Sequence, residues 1–150
     1  EYVGGSTENF VQMMNDYAAK LGCTGTHFSN PHGLQDENHY TTPYDIYLML
    51  NEALNYPEFT EITQMPSYTE KSTTLTATDH YLTGEATAPK DVTILGGKTG
   101  TTEVAGNCLA ILTQNAYGKT FVSIVMGAAT KELLYQEMNS LLINCIRFML

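Results

Sequence analysis

The run Ile94-Leu95-Gly96-Gly97-Lys98-Thr99-Gly100-Thr101-Thr102 constrains the fold of this chain more than any other segment. Its apolar start predicts a strand that ends in Lys-Thr-Gly. Such a strand end suits a ligand that carries a carboxylate next to a bond under attack. Lys98 supplies a cation, Thr99 and Thr101 supply hydroxyl donors, and Gly100 lets a ligand approach the backbone because no Cβ intervenes. An extended peptide could also pair with free backbone groups along the strand. A three-residue match arises often by chance, and the bland alternative is an exposed lysine beside a glycine turn. Placement after an apolar run and within Gly-Gly-Lys-Thr-Gly-Thr-Thr gives the triplet its weight.

The 150 residues, 43% hydrophobic and 15% charged, are enough for one ordered domain. Seven Lys and Arg against 16 Asp and Glu leave a formal charge of -9, which disfavours nucleic acid and other phosphate-rich partners. An anionic ligand must then be met by a local cation such as Lys98 rather than by the field of the whole protein. No stretch has the length and apolar purity of a membrane-spanning helix, and the first residues lack the regions of a signal peptide. Cys23, Cys108 and Cys145 show no metal-ligand spacing, so buried free thiols are expected; their odd number excludes a complete intrachain disulfide framework.

Ser6 or Thr7 can cap a first helix in which Phe10, Met13, Met14, Tyr17, Ala18 and Leu21 recur at helical spacing, with Gly22 at the C-cap position. Residues 24–40 read as a folded surface loop. Thr42-Pro43-Tyr44-Asp45 opens a second helix, predicted to run to about Leu54, and Pro57 opens a shorter one. The Thr-rich stretch 67–78 predicts exposed strands or a hairpin. Runs 92–101, 107–114 and 120–128 predict an antiparallel meander, and Thr130 can cap a final helix that covers one side of it.

Several separated segments, in order, carry a resemblance to a known family. They are Thr26-His27-Phe28-Ser29-Asn30-Pro31-His32-Gly33-Leu34, then His39-Tyr40-Thr41-Thr42-Pro43-Tyr44-Asp45, then residues 96–102 followed by Ala105-Gly106-Asn107-Cys108-Leu109, and finally 118–127. In these the chain resembles the C-terminal part of the catalytic domain of serine-type D-alanyl-D-alanine carboxypeptidases, the low-molecular-weight penicillin-binding proteins. The resemblance implies an α/β (α+β) architecture, a partial serine β-lactamase/transpeptidase-like fold. In it, helices precede a three-stranded antiparallel sheet covered by a C-terminal helix. It also implies two further strands from polypeptide before Glu1, and hence an apolar unpaired edge over 121–126. A second copy, strand exchange or a retained N-terminal fragment is expected to cover that edge.

For activity, the resemblance implies a serine that attacks the penultimate D-Ala of a peptidoglycan stem peptide, forms an acyl-enzyme and is trapped by β-lactam antibiotics. Lys98 and Thr101 take the catalytic roles: Lys98 in an electropositive cleft with a part in proton transfer, Thr101 through its hydroxyl on the substrate carboxylate and its backbone N–H in the oxyanion hole. Lys98, Thr99, Gly100 and Thr101 line the substrate site. The companion motifs Ser-x-x-Lys and Ser-x-Asn occur nowhere in the chain, so the resemblance places the nucleophile in a preceding N-terminal part, and the chain alone is expected to be inactive. It implies an extracytoplasmic place in a bacterial cell envelope, and no cofactor or metal is expected.

The chain departs from many relatives in having Leu133-Leu134, with Lys131 nearby, where an arginine assists carboxylate binding. Glu52-Ala53-Leu54-Asn55 partly matches the deacylating loop of class A β-lactamases but is one residue short, and Glu52 reads as a helix-surface residue. His27, His32, His39 and His80 read as structural, Asp45 and Glu8 as helix-start charges, and the methionines and tyrosines as packing residues. Two other functions stay open: a β-lactamase-like hydrolase of the same superfamily, and a non-catalytic cell-wall peptide-binding module.

Overall fold

Helix α1 (Thr7–Leu21) begins where Ser6 Oγ accepts from the Asn9 amide at 3.1 Å, and it ends where Gly22 turns left-handed at φ 87°. The computed structural model describes residues 1–147. They fall into two compact units, one Glu1–Asn55 and the other beginning at Tyr56. In the first unit α1 is followed by an irregular loop and then α2 (Pro43–Ala53). Asn15 holds the loop to α1: its side chain accepts from the Phe28 N–H and donates to the Phe28 carbonyl, both at 2.8 Å, as a strand neighbour would. His27 and Tyr40 exchange backbone hydrogen bonds at 2.9 and 3.0 Å, and their rings stack.

Asp45 is more than a helix-start charge. It is only 2% exposed, and its Oδ2 accepts from the Gly25 amide at 2.8 Å and the Thr26 hydroxyl at 2.6 Å. Its own amide donates to Thr42 Oγ1, the cap of α2. One carboxylate therefore ties the start of the loop to the start of the helix that ends it. Gly25 permits the contact, since a Cβ there would lie 2.7 Å from Thr42 Cγ2. The Thr26 hydroxyl is the largest of the influences that hold the Asp45 carboxyl below its usual range, and burial opposes it.

The second unit contains α3 (Pro57–Thr63), a hairpin of β1 (Ser67–Glu70) and β2 (Thr73–Thr76), the short α4 (His80–Thr83), strands β3 (Val92–Thr102), β4 (Gly106–Asn115) and β5 (Thr120–Ala128), and α5 (Lys131–Arg147). The sheet runs β3-β4-β5, antiparallel throughout, as the sequence predicts. Asn115 builds its second turn by accepting the Tyr117 and Lys119 amides. Thr130 Oγ1 caps α5 through the Leu133 amide. Leu109 and Ile111 of β4 pack with Leu134, Tyr135, Met138 and Leu142 of α5 in the main core. Ala110 and Leu112, which alternate with them, are also buried, so β4 is covered on both faces.

Two expectations need correction. Cys23 is buried, but Cys108 and Cys145 are half-buried; Cys108 lies opposite Gly100, which has no side chain to cover it. Among the methionines, Met138 is wholly buried while Met13 and Met126 are exposed, as are Tyr2, Tyr44, Tyr56 and Tyr117. Helix α4 leaves no periodic signal in the sequence because four residues are too few to show a period.

Two outcomes follow from these contacts. Met138→Ala is expected to lower stability by about 2–5 kcal/mol, measured by chemical denaturation, because it empties the centre of the α5–sheet core. Asp45→Asn is expected to remove a stabilisation present above the unfolded carboxylate pKa of about 3.9 and lost as pH falls through the lower folded value. Thermal midpoints of the two proteins should therefore converge on acidification; a constant gap would exclude the ionised form as the source.

Candidate active site

The cross-strand register sorts the side chains of β3. Thr99 sits opposite Leu109 and Thr101 opposite Asn107, whereas Lys98 sits opposite Ala110 and Gly100 opposite Cys108. Leu109 belongs to the core under α5, so Lys98 emerges on the face away from α5. It is exposed, and its ammonium donates to the Thr99 carbonyl. Among the described residues Lys98 makes no ion pair. Strand β3 pairs only with β4 among the described residues, so the Lys-Thr-Gly segment lies on a sheet edge.

Glycine does two different jobs here. A Cβ at Gly97 would lie 2.5 Å from the Ala110 carbonyl oxygen and 3.0 Å from Ile111 Cα, so this position serves the close fit of β3 on β4. At Gly96, φ is 133° and a Cβ would fall 2.5 Å from Thr63 Oγ1; here the register with β4 shifts by a bulge and α3 packs against the strand. Gly100 has nothing within 4 Å of the same imagined atom. The space beside Gly100 is open.

Both threonines already have partners. Thr101 Oγ1 donates to Asn107 Oδ1 at 3.3 Å, and Asn107 Nδ2 donates to the Ala128 carbonyl at 3.1 Å. Thr99 and Thr78 share a short hydroxyl–hydroxyl hydrogen bond. Next to Thr78, Asp79 is 4% exposed, and its Oδ1 accepts from the Tyr81 amide at 3.0 Å and the Tyr135 hydroxyl at 3.3 Å. The Tyr135 hydroxyl also accepts from the His80 amide at 2.8 Å. Burial pushes the Asp79 carboxyl above its ordinary range, against these hydrogen bonds, and pushes the Tyr135 phenol up to about 12. Tyr81 OH donates to Asn139 Oδ1 at 2.8 Å, and Asn139 Nδ2 donates to the Thr87 carbonyl at 3.1 Å.

The three loop histidines hold backbone, as expected. The His27 Nδ1 meets the Asn38 carbonyl, His39 Nδ1 accepts from the Ser29 amide at 3.1 Å, and His32 Nδ1 accepts from the Leu34 amide at 3.2 Å. His80 stacks on Tyr135 at 4.9 Å and 7°. Glu52 accepts from the Tyr17 hydroxyl at 2.7 Å, which agrees with a helix-surface role.

The sequence pattern that describes D-alanyl-D-alanine carboxypeptidases matches residues 1–130 of the chain. The chain belongs to the D-alanyl-D-alanine carboxypeptidase family. It is 35% identical over 151 residues to D-alanyl-D-alanine carboxypeptidase DacC of Escherichia coli, covering 99% of this chain and 36% of that protein. Against DacF of Bacillus subtilis it is 33% identical over 135 residues, covering 87% of this chain and 33% of the relative. The crystal structure of penicillin binding protein 5 from Haemophilus influenzae superposes with a TM-score of 0.84 at 28% identity, covering 95% of this chain and 40% of that one. The chain thus spans about a third of the length of the curated relatives it matches.

Within this carboxypeptidase-family chain the structure brings Lys98, Thr99, Gly100 and Thr101 together on one edge strand, with Lys98 and the two threonines emerging on opposite faces. Sequence reasoning missed Thr78, Asp79 and Tyr135, which lie far from Lys98 in the chain; the aspartate before a short apolar stretch is the one signal that could have marked a cap. The two glycines separate packing from access. Gly97→Ala is expected to destabilise by about 1–3 kcal/mol by overpacking β3 on β4, whereas Gly100→Ala should stay within about 0.5 kcal/mol. Thermal denaturation of both variants checks this, and equal losses would contradict the assignment of open space at Gly100.

Proposed function

We propose that the chain is the C-terminal part of the catalytic domain of a serine-type D-Ala-D-Ala carboxypeptidase acting on peptidoglycan in the bacterial cell envelope. The observation that carries this reading is the exposed Lys98, unpaired by any carboxylate among the described residues, beside Gly100's open space on a sheet edge. The charge of -9 makes such a local cation necessary for an anionic peptide terminus. Thr99 and Thr101 add hydroxyls along the same strand.

In the reaction, a serine from preceding polypeptide adds its Oγ to the penultimate D-Ala carbonyl and gives up its proton to a base. The C–N bond breaks, protonated D-Ala leaves, and water then cleaves the ester to restore the serine. Lys98 holds the negative potential of the substrate terminus, and the Thr101 N–H is one oxyanion donor. The second donor is the N–H of the serine itself, so the chain alone lacks both nucleophile and half of the hole; one missing donor costs about a hundred- to a thousandfold. A β-lactam follows the first half of the same path, with its strained amide as the bond broken. The outer edge of β5, which has no strand partner among the described residues, receives a strand from the same preceding polypeptide.

Labelled penicillin tests the reading. The protein carrying this chain and its preceding segment should be acylated stoichiometrically, and residues 1–150 alone should not. Lys98→Ala in the longer protein is expected to slow acylation about ten- to a hundredfold, the weight of one charge-assisted hydrogen bond of ~1.5–3 kcal/mol. Absence of Ser-x-x-Lys upstream, with peptide binding retained, would favour the binding-module alternative; rapid hydrolysis of penicillin after acylation would favour the β-lactamase-like one.

A further inference from the structure

Thr78 is exposed, yet its hydroxyl is spent on Thr99, the central residue of Lys-Thr-Gly. An exposed hydroxyl on an irregular segment has many rotamers and a strong pull toward water, so a fixed partner implies a fixed backbone. That backbone is fixed from the next residue onward. Asp79 is nearly wholly buried and bonded to the Tyr135 hydroxyl, which in turn accepts the His80 amide, while Asn139 holds Tyr81 and Thr87. Tyr135 and Asn139 both stand on α5, the helix that covers the sheet. From the other side, the Ala77 amide donates to the Pro66 carbonyl at 2.9 Å and closes the base of the β1–β2 hairpin. The segment is thus clamped on both sides of Thr78.

We infer that Thr78 is a positioning residue for the carboxypeptidase site, setting the direction in which Thr99 offers its hydroxyl proton. A hydroxyl has one proton and can accept at the same oxygen. In the Thr78–Thr99 pair either residue can donate. Only one of the two orders leaves the Thr99 proton for a ligand carboxylate: Thr78 donates to Thr99, and Thr99 donates outward. A carboxylate bound at Thr99 selects that order, and the chain of two hydrogen bonds strengthens its outer member. Without the Thr78 hydroxyl, Thr99 keeps its proton but loses the partner that orients it. Thr101 has a different arrangement, because Asn107 turns its Oδ1 to the Thr101 hydroxyl and its Nδ2 to the Ala128 carbonyl, and so offers Thr101 only an acceptor. Thr99 is therefore the one of the two threonines whose present partner can supply a proton.

The inference rests on the proposed carboxypeptidase reading and is tested in the complete protein that contains this chain. Steady-state release of D-Ala is measured for wild type, Thr78→Val and Thr78→Ser, with an acyl-D-Ala-D-Ala peptide as the free acid and as its C-terminal amide. Thr78→Val should raise KM for the acid about five- to tenfold with kcat changed less than twofold, the pattern of lost uniform binding from one hydrogen bond. Thr78→Ser should restore wild-type KM, and the amide should show no difference among the three. Equal KM in wild type and Thr78→Val, equal losses on acid and amide, or no rescue by serine would each overturn the inference. If wild type neither releases D-Ala nor reacts with penicillin, the functional reading fails on its own. The positioning role is then decided by NMR titration with N-acetyl-D-alanyl-D-alanine: weaker binding to Thr78→Val than to Thr78→Ser upholds it, and equal binding, or no binding to any of the three, rejects it.

Discussion

Burying a strand on both faces is the constraint from which the rest of the second unit follows. Strand β4 places Leu109 and Ile111 under α5 and turns Ala110 and Leu112 to the opposite, also buried, side. A strand in that position must have neighbours on both edges, and β3 and β5 supply them. Once β3 is hydrogen-bonded to β4, the alternation of the pleat decides where each residue of Lys-Thr-Gly emerges. Lys98 takes the face of Ala110, and Thr99 takes the face of Leu109. Gly97 then lets β3 lie flush on β4, since any larger residue would meet the Ala110 carbonyl. Lys98 is exposed on this edge strand although Ala110, its partner across the pair, is buried.

Elements whose signals are local are legible in the sequence. The Ser6 cap and Gly22 stop of α1, the Thr42-Pro43 entry to α2 and the Thr130 cap of α5 each depend on side chains within three or four residues of the groups they satisfy. The three sheet strands carried enough apolar, β-rich sequence to be placed within a residue or two of their observed ends. The Lys-Thr-Gly strand was legible for the same reason, as was the order of the segments that mark the carboxypeptidase family.

What stayed hidden depends on contacts that sequence spacing does not encode. Thr78 meets Thr99 across 21 positions, and Asp79 meets Tyr135 across 56. Neither pair has a period, and a threonine in a Thr-rich stretch carries no mark that separates it from its neighbours. Asp45 shows the same limit differently: its place in the first turn of α2 was plain, but its burial and its bonds to Gly25 and Thr26 required the loop to fold back onto the helix start. Exposure of Met13, Met126 and several tyrosines was hidden too, because apolar character predicts burial only when a partner surface exists.

Asp45 and Asp79 show how donor supply, rather than burial, sets the behaviour of a carboxylate. Both are almost inaccessible, at 2% and 4%. Asp45 Oδ2 receives two close donors, a hydroxyl and an amide, and the charged form is favoured in the folded state. Asp79 receives donors only on Oδ1, while Oδ2 is buried with no hydrogen-bond partner among the described residues, and desolvation wins. The signs of the linked stabilities are opposite. Asp45 stabilises the fold above the unfolded carboxylate pKa and ceases to do so on acidification, whereas the advantage of the protonated Asp79 is full below that value and is lost as pH rises through its raised folded pKa. The anchor beneath Thr78 is therefore held against a cost of ionisation, which the Tyr135 hydroxyl and the Tyr81 amide offset in part. A clamp of that kind concentrates its cost where the backbone has to be rigid, next to the one residue whose hydroxyl meets the central threonine of Lys-Thr-Gly.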